Sequence, residues 1–455
     1  MIAMMIEKPA ARGALPDVTQ LRREVTDVVK TTAVIDVHTH LLAPQFGEMS
    51  LFGIDELLTY HYLIVETFRS HEIKPEQFWR MNMTEQADLV WKTLFVENTP
   101  ISEATRGVVT VLNALGLDAE AADVSEARAF FRSRKLSEHV DLVLELARVS
   151  DVVMTNDPFN AQEARVWETG VDIDKRFHAT LRMDRLVNDW EHTSARLSQL
   201  GYEVETRGSA KTAAEVRRFL AKWVAIMKPV CMAVSLPADF KFPDNDARDW
   251  VLREVALPTA REHGLALALM VGVLRGVNPA LRVAGDGVGR ADVGALERMC
   301  AEYSDVRFLA TFLSRENQHE LCVAARKFSN LMPFGCWWFL NNPSIISEIT
   351  RERLELLGTS FIPQHSDARI LEQLIYKWQH SRDVIAESLC ESYERLLHSG
   401  RAVTRQEIER DVTRMLRGNF LDWVGGLPSR PVMKPSALTG ERVRQPDETD
   451  VVTTR

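Results

Sequence analysis

Eight short apolar runs recur along this chain, with stretches of amphipathic helical spacing between most of them. The runs are 33–38, Asp151–Thr155, His178–Arg182, Val230–Ser235, Ala266–Val271, Arg307–Thr311, Leu331–Gly335 and Ser360–Pro363. Helical periodicity falls at Ala213–Met227, Ala247–His263, Gly294–Tyr303, Gln318–Phe328 and Ser344–Leu357. Eight strands alternating with helices predict a parallel sheet closed as a (β/α)8 barrel, an α/β fold. An open doubly wound sheet is the alternative, but no Gly-x-Gly-x-x-Gly turn follows the first strand. Gly285-Asp286-Gly287-Val288-Gly289 precedes no phosphate-binding helix and reads as a loop.

Residues 1–32 form an N-terminal segment whose helix, 17–31, aligns Leu21, Val25, Val28 and Val29 on one face. The barrel spans 33–424. A helical insertion follows the first strand, over about 53–148, because that stretch is too long for a loop. It contains Ile54–Ser70, Met83–Val96, Ser102–Leu115, Ser125–Phe131 and Ser137–Arg148, with Ser125 and Ser137 as N-caps. Helices Ala368–Ser399 and Thr404–Trp423 follow the last strand, and 425–455 reads as an irregular tail.

The 455 residues are 45% apolar and 26% charged, enough for a large core. A net charge of −9 argues against a nucleic-acid binder. Cys231, Cys300, Cys322, Cys336 and Cys390 are dispersed and odd in number, so neither a disulfide framework nor a cysteine zinc site is expected. Reduced thiols in the cytoplasm are the simple reading. Residues 1–20 carry Glu7, Lys8, Arg12 and Asp17 and do not read as a signal peptide, and no run is apolar enough to span a bilayer.

In a barrel of this type the C-terminal strand ends build the site. The first strand ends in His38-Thr39-His40. Residues two apart share a strand face, so both imidazoles can grip one divalent ion. Packed polar residues at a strand end are the bland reading. Asp367, after the eighth strand, is the best third ligand and can also accept a proton. The alternative is that it caps the helix from Ala368. His365 is a ligand or a partner behind one. No lysine stands in Val230–Ser235, so a carbamylated lysine bridging two metals is not expected. One ion with few protein ligands keeps positions open for substrate. Arg182 and Arg369 suit an acidic small molecule, unless each pairs with its neighbouring Asp184 or Asp367. Trp337 and Trp338 wall a pocket or fill the core. His61 and Tyr62, within Tyr60-His61-Tyr62, could supply an acid and a hydrogen-bond donor, or simply line a helix surface.

In their order these pieces resemble the uronate (glucuronate) isomerases of the amidohydrolase superfamily, from about Val34 to Phe420. The matching stretches are Asp36-Val37-His38-Thr39-His40, Asp55-Glu56-Leu57-Leu58 leading to His61-Tyr62, Thr155-Asn156-Asp157-Pro158 and Leu181-Arg182-Met183-Asp184. Gly272-Val273-Leu274-Arg275, Gly335-Cys336-Trp337-Trp338-Phe339 and Ser366-Asp367-Ala368-Arg369 complete the set. The resemblance implies a distorted (β/α)8 TIM barrel of the metal-dependent hydrolase type with the insertion after the first strand. It implies one divalent ion, Zn2+ first and Mn2+, Fe2+ or Co2+ as alternatives, held by His38, His40 and Asp367. It also implies His61, Tyr62, Arg182 and Arg369 around a sugar acid, aldose–ketose isomerisation in carbohydrate metabolism, and a homo-oligomer. Two departures stand on the substrate side. Ser235-Leu236-Pro237-Ala238-Asp239 replaces a Ser-x-Asp-His pattern, and Met270 stands where the family usually has histidine. A hydrolase or lyase on another small acidic or amide substrate, or a silent relative, are the competing expectations.

Overall fold

A computed structural model describes residues 15 and 17–428. Residues 429–455 of the expected tail, and the N-terminal segment up to 14 with residue 16, lie outside the described residues. The strands are β1 Val34–Thr39, β2 Val149–Asn156, β3 Phe177–Arg182, β4 Cys231–Pro237, β5 Ala266–Leu274, β6 Gly287–Val288, β7 Phe308–Phe312 and β8 Leu331–Pro333. They pair in the order β1-β2-β3-β4-β5-β7-β8, all parallel along that path. β6 lies antiparallel on β5, so the glycine-rich stretch expected to be a loop contributes a short strand.

The expected eighth strand, Ser360–Pro363, is not a regular one. Only Ile362 bridges, to Phe334. The gap is closed by an irregular segment instead. On one side Ile362 N–H donates to Pro333 O at 3.0 Å and Gly335 N–H to Ile362 O at 2.9 Å. On the other, Asp367 N–H donates to His38 O at 3.1 Å and His40 N–H to Ala368 O at 2.7 Å. The ring is thus complete but distorted.

Strand alternation sorts the core into two layers. Ile35, Val37, Val153, Ala233, Ala268 and Leu309 pack inside the ring. Val34, Val152, Met232, Leu267 and Phe308 face outward onto the helices. Burying each larger side chain contributes roughly 1.5–3 kcal/mol. Helix Asn419–Val424 adds Phe420 to the inner layer. No described helix is long and apolar enough to cross a membrane.

Three local expectations change. The helix expected over Ile54–Ser70 is two, Ile54–Leu58 and His61–Ser70. Thr59 N–H makes the last bond of the first, to Asp55 O, which also accepts the Thr59 hydroxyl, and the chain leaves the helix at Tyr60, extended at ψ 141°. His61 therefore opens the second helix. Ser125 and Ser137 lie inside their helices, whose N-caps are Val124 and Lys135. The helix expected from Ala368 begins at Gln373, so Asp367 does not cap it.

Candidate active site

Strand β1 does not run straight into its histidines. Its pairing with β2 goes from Asp36↔Val152 to Thr39↔Met154, three steps against two. Such a bulge re-aims the side chains that follow it. Asp36 faces the long helix Gln373–His398, and simple alternation would place His38 on that same outer side. The bulge turns His38 and His40 toward Asp367.

His38 Nε2 and His40 Nε2 each lie 3.4 Å from Asp367 Oδ1. The three donor atoms fall within 4.8 Å of one another, the one such cluster among the described residues. The His38 Nδ1 position is taken by Thr155 Oγ1 at 3.4 Å, which leaves Nε2 for the cluster. His38 Nε2 and Asp367 Oδ1 are buried without a hydrogen-bond partner. Burial, reinforced by the Arg369 charge, drives the His40 pKa down to about 3, so its ring is neutral with a lone pair to give. Burial alone would raise the Asp367 carboxyl, but His38 and His40 outweigh it and hold the group well below the usual carboxylate range. Two imidazole nitrogens and one ionised oxygen converge, with His38 Nε2 and Asp367 Oδ1 otherwise unsatisfied, and fit a divalent cation with open positions.

Asp367 sits at φ +52°, a left-handed conformation costly for a non-glycine residue. Neighbouring bonds hold it there. The buried Asp36 carboxylate accepts Ser366 N–H at 3.0 Å and the Trp378 indole N–H at 2.8 Å. Lys377 Nζ donates to Ser366 O at 2.6 Å, and Asn341 Nδ2 to the same oxygen at 3.2 Å. Burial pushes the Asp36 pKa up, opposed by the Ser366 and Trp378 donors. Nothing in the sequence pattern marks Trp378, Lys377 or Asn341, and Asp36 enters it only as the first residue of Asp36-Val37-His38-Thr39-His40.

A cavity of about 570 Å³ opens beside the cluster, lined among others by Tyr60, His61, Trp79, Arg282 and Arg369. Arg369 is exposed and makes no ion pair among the described residues, so the expected pairing with Asp367 is not formed. Arg182 does pair with Asp184, at 3.2 Å, on the rim above β3 and not among the residues lining this cavity. His61 and Tyr62 are brought together, ring centroids 4.4 Å apart. The Tyr62 hydroxyl is buried without a partner, and burial raises its pKa well above the ordinary phenol value, so it stays protonated. His61 Nε2 accepts the Trp338 indole N–H at 3.0 Å. Burial and the Arg369 charge bring the His61 pKa to about 3. Trp337 is 4% exposed and packs in the inner core layer. His365 is fully buried behind His38, ring centroids 5.2 Å apart, and stands outside both the donor cluster and the cavity lining.

The solved structure of a uronate isomerase from Bacillus halodurans C-125 superposes with a TM-score of 0.89. It is 51% identical, over 91% of this chain and 98% of that one. This chain belongs to the uronate isomerase family. More distant members of similar shape include a uronate isomerase from Thermotoga maritima, TM-score 0.72 at 17% identity, covering 89% of this chain and 97% of that one. A glucuronate isomerase from Caulobacter crescentus gives 0.73 at 15% identity, covering 93% and 98%. These two attest the shared fold. No protein-family model and no curated protein matches the chain.

Proposed function

We propose that this chain is a metal-dependent aldose–ketose isomerase acting on a hexuronate such as glucuronate or galacturonate, or on a related sugar acid. The observation that carries the reading is the 51% identity to the Bacillus halodurans uronate isomerase across nearly the whole of both chains. That relative is an isomerase, which weighs against a hydrolase or lyase. His38, His40 and Asp367 would hold one divalent ion, zinc first, whose contribution when bound is Lewis-acid polarisation of a carbonyl and its neighbouring hydroxyl.

The side chains supply the rest. The ionised Asp367 carboxylate would take the proton from carbon 2 and return it to carbon 1 through an enediol. The protonated Tyr62 hydroxyl would hydrogen-bond the oxygen on which charge develops. His61 would hold a substrate oxygen at the cavity wall. Arg369 would grip the sugar-acid carboxylate in a two-point contact, joined by Arg182 once it leaves Asp184. Trp338 would brace His61 at that wall through its indole N–H, Trp337 would back it from the core, and His365 would support His38 from behind. The five buried cysteines without disulfides fit a reducing, cytoplasmic setting, and the family likeness is what supports a small acidic substrate and a homo-oligomer.

Incubation with glucuronate or galacturonate in deuterated water tests the reading by NMR. Ketose should form with deuterium at the exchanged carbon. Chelation should abolish both and added zinc should restore them. Absence of ketose together with absence of carbon-2 exchange in the metal-loaded protein would overturn it.

A further inference from the structure

The hydrogen bond between Trp338 and His61 settles more than a position. An indole Nε1 carries a proton and has no lone pair to accept with, so it only donates. Its partner, 3.0 Å away, is Nε2 of His61. That nitrogen must present a lone pair. The Nε2–H tautomer would set two N–H groups against each other, and so would the imidazolium. While the bond stands, only the Nδ1–H tautomer remains.

The donor is held firmly. Trp338 is 9% exposed and its ring stacks on Phe339 at 4.7 Å and 14°. Its backbone sits at φ +46°, a conformation that costs a bulky residue about 1–3 kcal/mol and persists only where the surroundings enforce it. The acceptor is held as well, between the rings of Tyr60 at 4.1 Å and Tyr62 at 4.4 Å. His61 lines the cavity beside Arg369, and Nδ1–H is the one polar group its ring has left to offer there.

Resting on the isomerase reading above, we propose that Trp338 is a positioning residue that locks His61 in the Nδ1–H tautomer. The ring then meets the sugar acid as a neutral hydrogen-bond donor and not as a base. Through the cycle His61 neither takes nor yields a proton. The carbon-bound proton travels by Asp367, and the hydroxyl proton of carbon 2 ends on the oxygen of carbon 1.

Histidine-selective 15N labelling of the full-length protein tests this, with the His61 resonances assigned by their loss in His61→Gln. Two-bond proton–nitrogen spectra should show a pyrrole-like shift at Nδ1 and a pyridine-like shift at Nε2. In Trp338→Phe the pattern should move toward a tautomer mixture. Its kcat on the uronate should fall roughly tenfold while KM stays within about threefold, the scale of one misplaced hydrogen bond. If Trp338→Phe does not fold, benzothienylalanine at position 338 keeps the ring size without the N–H, and the same changes are expected. A protonated Nε2 in the unaltered protein, or an unchanged tautomer after removal of the indole N–H, overturns the proposal. The spectra report whether or not uronates prove to be substrates, so failure of the isomerase reading remains distinguishable.

Discussion

Replacing Asp36 with asparagine should loosen the donor cluster from outside it. The carboxylate is fully buried and receives two N–H donors, Ser366 on one oxygen and Trp378 on the other. Asparagine keeps the shape but has one acceptor oxygen and one NH2, so one of the two donors must face another donor. Losing a hydrogen bond to a charged group costs about 1.5–3 kcal/mol, and stranding a buried donor costs about 1–3 more. A net loss of about 2.5–6 kcal/mol follows. Trp378→Phe leaves Asp36 intact and removes one donor, so about 1–3 kcal/mol is expected. The double variant should lose less than the sum, because both single changes break the same contact. Ser366 N–H is one residue from Asp367, so Asp36→Asn should also weaken divalent-ion affinity by about 10–100-fold. Urea denaturation and competition with a chromogenic chelator measure the two effects. Stability within about 0.5 kcal/mol of the parent protein, with ion affinity unchanged, would refute the reasoning.

Burial lifts the Glu163 carboxyl from its ordinary value to about 7. The folded state then binds more protons than the unfolded one between about pH 4.5 and 7, so this group's stabilisation is present below 4.5 and lost as pH rises through 7. Glu163→Gln should therefore be more stable than the parent at pH 8 by up to about 3 kcal/mol and similar to it near pH 4.5, read from urea melts at both values. Parallel pH profiles for the two proteins would contradict this. Gly335→Ala should be severely destabilising, because φ is +65° and the new Cβ would lie 1.8 Å from His365 Cδ2, so thermal melting should show a fall of several degrees or no cooperative transition. His139→Ala should cost about 1–3 kcal/mol, because it removes the buried hydrogen bond to Glu372 at 2.7 Å and leaves that side chain only the Gly53 N–H at 3.2 Å, and urea denaturation reads the loss directly.

The parts of the site legible in the sequence are those carried by local pattern. His38-x-His40 closes an apolar run, and the strand positions follow from β-branched clusters with period two. Structure that depends on distant partners was hidden. Asp36 and Trp378 are 342 residues apart, and nothing local announces that they meet. The bulge in β1 was equally invisible, because it lies in the pairing with β2 and not in the residues of β1 alone. Alternation gave the right relation between His38 and His40 but not their separation from the face of Asp36. The break at Thr59-Tyr60 lies inside a continuous helical pattern, and only the extended backbone of Tyr60 ends it. The Ser125 and Ser137 expectations misplaced helix starts by one or two residues, the usual uncertainty of an end read from capping residues alone. The irregular eighth position reads as a strand because Phe361 and Ile362 are apolar, but Ile362 bonds only toward β8, and the bonds to β1 are made further on, by Asp367 and Ala368.

That irregular position has a consequence for how the molecule comes to life. Two of the three converging donors belong to the first staves of the cylinder and the third to its final seam, so no partial chain can assemble the set. The seam is joined by a handful of backbone bonds in place of a full ladder. A cation seated across it would act as a clasp, drawing the opening and closing ends of the ring together and tying the completion of the fold to the arrival of the ion.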